Sequence, residues 1–296
     1  MKRHMRHLLL CCSMLLSGFA GQAQDDLLSL AEAADSTETR LVTGTFKATR
    51  LVNGHTVETH GKNELLFLIS HRFGTLNSGA YNLFGLDQAT IRLALEYGMT
   101  DRLAVGIGRS SLEKTYDGFL KYKLLQQRQG AMPMPVTVTL FSSLALNTLR
   151  NQNSDESAPF SSRLAYTYQV LVARKFSERL SLQLSPSLVH RNMVATRQDE
   201  NNVYALGAGG RYKLTKRTSF NAEYFYLLPG ETADNHINAL SLGFDIETGG
   251  HVFQLIFTNA QGMVEKFFIP QNKGDWGEGD IYFGFNISRV FSLKGE

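Results

Sequence analysis

The chain has 296 residues, 43% of them hydrophobic and 10% aromatic, with 26 Gly, 6 Pro, 2 Cys and a formal net charge of +3. Both cysteines and the excess charge (Lys2, Arg3, Arg6) lie near the start; beyond those three cations, 27 basic residues face 27 acidic ones. This excludes a disulfide framework, a thiolate metal site and a cysteine nucleophile from the rest of the chain, and the balanced charge gives no footprint for nucleic acid.

Behind Lys2, Arg3 and Arg6 comes an apolar run from Leu8 to Phe19, then Gly21-Gln22-Ala23. The run is shorter than the roughly 20 residues a spanning helix needs. It has the organisation of a secretory signal peptide, expected over residues 1–23. No later stretch approaches about 18 consecutive apolar residues, so helical membrane spans are not expected. Residues 24–62 read as a periplasmic leader: Gln24 to Arg40 is acidic and small-residued, while Leu41 to Gly61 carries Thr, Val and Phe around an Asn53-Gly54 turn, a possible small hairpin. It can lie in the periplasm or tuck into a barrel mouth.

From residue 63 to 296 the pattern is β throughout. Gln88 to Tyr97 places Ala89, Ile91, Leu93, Leu95 and Tyr97 on one face and Gln88, Thr90, Arg92, Ala94 and Glu96 on the other, a strand with one apolar and one polar side. After Gly98 to Asp101 the alternation resumes with Leu103, Val105 and Ile107, which makes a hairpin. Twelve such strands are expected: Glu64 to Phe73, Gln88 to Tyr97, Arg102 to Ser110, Thr115 to Leu125, Val136 to Asn147, Ser162 to Lys175, Leu180 to His190, Val203 to Leu214, Thr218 to Leu228, Ile237 to Glu247, His251 to Asn259 and Asp280 to Phe291. Most are longer than the five or six residues usual in soluble sheets and suit a tilted membrane crossing of about 9 to 11 residues.

The connections alternate short and long, the short ones being Gly98 to Asp101, Phe176 to Arg179, Thr215 to Arg217 and Thr248 to Gly250. Outer-membrane barrels have this asymmetry, with short turns on the periplasmic rim. Two connections depart from it: Gln126 to Pro135 is long for the short rim, and Ser111 to Lys114 is short for the long rim. The expected fold is therefore all-β, a closed antiparallel transmembrane barrel of about twelve strands, with no open edge in lipid. Its apolar face meets outer-membrane lipid, and Tyr97, Tyr122, Tyr166, Tyr212 and Tyr226 populate the interfaces. The expected lumen carries both signs of charge on Arg92, Glu96, Arg102, Asp117, Lys121, Lys123, Arg211, Lys213, Glu223, Asp245 and Glu247.

No catalytic motif, cofactor motif or metal-ligand spacing is present. Ser70-His71 and Ser185 with His190 point to opposite faces of their strands, which disfavours a serine–histidine hydrolase. The acidic stretch Asp275 to Asp280 matches no calcium-loop spacing and reads as a solvated loop. The residues leave a narrow channel or transport-related barrel for small solutes as the leading reading. A structural or assembly protein with a filled lumen and an unknown protein partner is the alternative.

The block from His71 to Leu125, with its phrases LFGLDQAT, EYG-x-TDRL, GIGRSS and KTYDGF-x-KYK, resembles the uncharacterised outer-membrane β-barrel family of Bacteroidota labelled domain of unknown function 5777. The resemblance extends from Phe46 to the C-terminus. It implies a barrel in the outer membrane of a Gram-negative cell and supplies no activity, cofactor or catalytic residue. The final strand, ending on Phe291, is similar to the aromatic-ended strands by which the barrel-assembly machinery recognises its clients.

Overall fold

The computed structural model describes residues 38–150 and 159–293. The expected signal peptide, most of the leader and the loop Asn151 to Ser157 lie outside the described residues.

Twelve antiparallel strands close into a barrel. They are β1 (Glu64–Thr75), β2 (Ala89–Gly98), β3 (Leu103–Ser110), β4 (Tyr116–Leu125), β5 (Thr137–Leu146), β6 (Leu164–Lys175), β7 (Leu180–Arg191), β8 (Asn202–Lys213), β9 (Thr218–Leu227), β10 (Ala239–Thr248), β11 (His251–Thr258) and β12 (Tyr282–Ser292). Each pairs with its neighbours in sequence, and β12 returns to β1 with Ile287 opposite Ile69 and Ser288 opposite Leu68. All twelve fall within a few residues of their expected places. Most of the shifts are at strand ends, where turn hydrogen bonds rather than side-chain alternation set the limit.

Period-two alternation fixes which side is which. In β2, Ile91, Leu93 and Leu95 are 39, 45 and 43% exposed on the outer wall, whereas Arg92 and Glu96 are each 1% exposed inside. Outward exposure of a broad apolar surface is stable only where lipid covers it; a Lys or Arg placed there costs about 2–4 kcal/mol at the bilayer midplane. The short turns lie on one rim. On the other are the connections after β1, β3, β5, β7, β9 and β11.

A separate small unit is formed by residues 38–42 and 127–135. Here Arg40–Leu41 pairs antiparallel with Arg128–Gln129, so the long connection of the short rim contains a two-residue ladder.

Gly98 ends β2 where the chain entering β1 crosses it. A Cβ at Gly98 would collide with the backbone carbonyl oxygens of Gly61 and His60. Backbone cannot yield as a flexible side chain does, so Gly98→Ala is expected to destabilise the barrel by about 1–3 kcal/mol. The check is the temperature at which the folded, fast-migrating band is lost on mild SDS gels; an unchanged temperature would contradict the close approach.

Candidate functional site

Eight of the eleven charged side chains expected in the lumen are buried on the inner face: Arg92, Glu96, Asp117, Lys121, Lys123, Arg211, Glu223 and Asp245. Arg102 is not in the lumen. β3 begins one residue later than expected, which leaves Arg102 exposed in the turn. Lys213 and Glu247 are half-buried near strand ends on the short-turn rim, where Glu247 forms an ion pair with Lys47. Arg92 is held by Asp117 through two bonds, Nε to Oδ1 at 2.9 Å and an Nη to Oδ2 at 2.5 Å.

The lumen is occupied. Residues 45–57 enter from the short-turn rim and reverse at Asn53-Gly54, with Leu51 N–H donating to the Gly54 carbonyl at 2.9 Å and Arg50 bridging antiparallel to His55. The tip is received by Glu223 of β9. Its carboxylate accepts the N–H of Asn53 at 2.6 Å and those of Val52 and Gly54 at 3.2 and 3.1 Å. Backbone N–H groups gathered at a turn form a concave anion seat, and here a side chain of the wall fills it. Arg72 of β1 donates to the Asn53 amide oxygen at 2.8 Å, and the Asn53 amide donates to Ser241 at 3.0 Å. Further along, Gln183 accepts the Val57 N–H at 3.0 Å and donates to the His55 carbonyl at 2.8 Å. Each of these satisfies a backbone group that would otherwise be buried without a partner.

The apolar side chains of the hairpin are also placed. Phe46, Leu51 and Val57 cluster with Phe119, Phe141 and Leu171 of the wall. The His55 ring packs against both Phe119 and Phe141, with centroids 4.6 and 4.3 Å away. Burial pushes the His55 imidazole well below its ordinary value, and Arg50 adds to this, so the ring is held neutral.

From the opposite rim the connection between β11 and β12 folds inward. Ala260 and Met263 to Ile269 are buried, with a single helical turn at Glu265–Phe268. Phe268 meets Phe225 at 5.1 Å in a cluster with Val189, Ala205 and Ile269. The two insertions meet where Arg50 of the hairpin donates to Glu265 at 3.2 Å, these side chains being 5 and 2% exposed. Burial raises the Glu265 carboxyl, with Arg50 opposing the shift.

The phrase GIGRSS is explained by this filling. Gly106 and Gly108 face inward, where a Cβ would strike the Phe119 ring and the Arg92 guanidinium respectively. Ser110 accepts the Leu112 N–H at 3.1 Å and Ser111 accepts the Ile91 N–H at 3.0 Å, closing the turn. That turn holds Glu113 against Lys266 of the inward loop at 2.9 Å.

Arg72 follows Ser70 in the inward register of β1 and was recoverable from alternation. Asn53 is legible only as part of a turn, and Arg50 and Glu265 carry no local signal, because the bonds of Asn53 to Glu223 and of Arg50 to Glu265 span more than 150 residues of sequence. Ser70 faces inward while His71 lies outside, stacked on Phe285 at 5.0 Å. Both His190 ring nitrogens are taken by Asn202 and Asn192. In the acidic loop, Asp275 accepts the Gly277 N–H at 2.7 Å and Asp280 accepts from Asn77 at 2.7 Å, so these carboxylates tie the loop together.

A family model described as a membrane-bound β-barrel domain, DUF5777, matches residues 46–291. No curated protein matches the chain. Among solved structures, the COG4313 outer membrane channel from Pseudomonas putida F1 is similar at 15% identity and TM-score 0.44, covering 79% of this chain and 98% of that one. Acinetobacter baumannii Omp33 is similar at 10% identity and TM-score 0.41, with coverage of 78 and 98%. LpxR from Salmonella typhimurium is similar at 10% identity and TM-score 0.35, with coverage of 78 and 100%. At these scores no function passes from any of them to this chain.

Proposed function

The chain belongs to the membrane-bound β-barrel family DUF5777, and on that premise we propose an outer-membrane barrel of a Gram-negative cell that passes small solutes and is closed in the conformation described. Residues 45–57 act as its plug, and conduction follows their withdrawal. The observation that carries this reading is the chemistry of the wall. Behind the plug the inner face presents Ser70, Thr139, Gln183, Asn221, Ser241 and Gln254 beside the eight buried ions. A barrel filled only for stability gains little from such a surface, since well-packed hydrocarbon stabilises at least as well as a buried ionic network. A wall that must rehydrate when a plug leaves needs polar groups at every level.

The plug's many bonds to the wall favour a second reading, a structural barrel whose lumen stays filled. Recording from purified full-length protein in a planar bilayer decides between them. Long closed periods broken by discrete openings are expected; a flat trace where a control porin conducts would leave the structural reading. No catalytic step and no cofactor is part of either. The exposed aromatic end of β12 at Phe291 supports the assembly machinery as a partner during biogenesis.

A further inference from the structure

The outer wall is uneven where β6 to β9 lie side by side. Ala208 and Gly210 of β8 and Ala222 of β9 are small, and around them stand Leu182, Tyr212 and Tyr224, which leaves a groove of about 700 Å³. Its lining is almost wholly apolar, and its size is that of a ligand site rather than a packing gap between neighbouring side chains, such sites spanning about 300–1,000 Å³. The groove runs from mid-strand to the short-turn rim, where Arg174 lines it.

That rim is cationic. Arg174, Arg179, Lys216 and Arg217 are exposed on the ends of β6 to β9 and their two turns. The acid in these turns, Glu178, is paired with Lys175 at 3.0 Å, and among the described residues Arg174, Arg179, Lys216 and Arg217 form no ion pair. The guanidinium of Arg174 lies 5.0 Å from the Phe176 ring, which keeps it at the membrane interface with its charge toward the headgroup region.

We propose that this groove seats one anionic phospholipid of the inner leaflet, an acyl chain lying over Ala208, Gly210 and Ala222 and the phosphate held at Arg174 and Arg179. The shape and the charge agree on one occupant, an amphipath with an apolar body and an anion at one end. A second copy of the chain fits worse. Rotation about the membrane normal keeps height constant, so a symmetric partner would bring the same cationic rim against itself. The inference rests on the membrane-spanning barrel and is independent of whether the lumen conducts.

Full-length protein taken from nanodiscs of mixed phosphatidylglycerol and phosphatidylethanolamine, released gently and weighed by native mass spectrometry, tests it. Wild type is expected to retain one phosphatidylglycerol in preference to phosphatidylethanolamine. Arg174→Gln and Arg179→Gln are each expected to lower that preference about fivefold. Ala208→Phe fills the floor of the groove from an exposed position and is expected to release both lipids, with heat-modifiable migration unchanged. Equal retention of the two lipids by wild type would overturn the proposal. So would retention that survives Ala208→Phe, a preference indifferent to both charge variants, or a lipid-free dimer.

Discussion

Arg50→Ala is expected to be among the most damaging single substitutions in the plug. It removes the cation 3.2 Å from Glu265 and leaves that carboxyl buried at 2% exposure, with the His55 imidazole 3.8 Å away. Breaking one side of a buried pair typically costs about 3–5 kcal/mol, whereas replacing both sides by packed apolar groups can be nearly neutral. The double variant Arg50→Met with Glu265→Met is therefore expected to lie closer to wild type than either single change. Thermal transitions followed by gel mobility give the comparison. Costs that simply add would show that the hairpin and the inward loop are not coupled at this point.

Glu223→Gln probes the other hold on the plug. The carboxylate has acceptor oxygens for three converging N–H groups; an amide turns one of those oxygens into a donor that faces donors. A spoiled charge-assisted contact of this kind costs about 1–3 kcal/mol, and because it is made only with the plug in place, that loss falls on the closed state alone. The open fraction in single-channel recordings is expected to rise by about tenfold or more. Lower thermal stability with an unchanged open fraction would show that residues 45–57 do not gate the lumen.

Together these variants separate the bonds that make the plug fit from those that keep the barrel closed to solutes. Gly98→Ala differs from both, since it acts on the chain entering β1, through the backbone of His60 and Gly61, and removes no charged side chain from the lumen.

The alternation of apolar and polar residues, the lengths of its runs and the short and long connections between them were enough to determine twelve strands, their order, and the membrane-facing side of each. These are local quantities: a strand's two faces are set by adjacent residues, and a barrel of sequential hairpins adds no long-range choice beyond the seam of β12 on β1. The eight buried ions followed from the same rule. Arg102 did not, because hydrogen bonding ended the turn one residue later than the side chains suggested. What fills the lumen was decided only by the tertiary structure. Residues 41–61 read as a hairpin with two possible homes, and residues 260–269 only as part of the long connection between the last two strands. Glu223 is bonded to a backbone tip 170 residues away and Glu265 to an arginine 215 residues away. Such partners are chosen by where the closed barrel brings the two insertions together, a property of the enclosed volume that no spacing along the chain expresses.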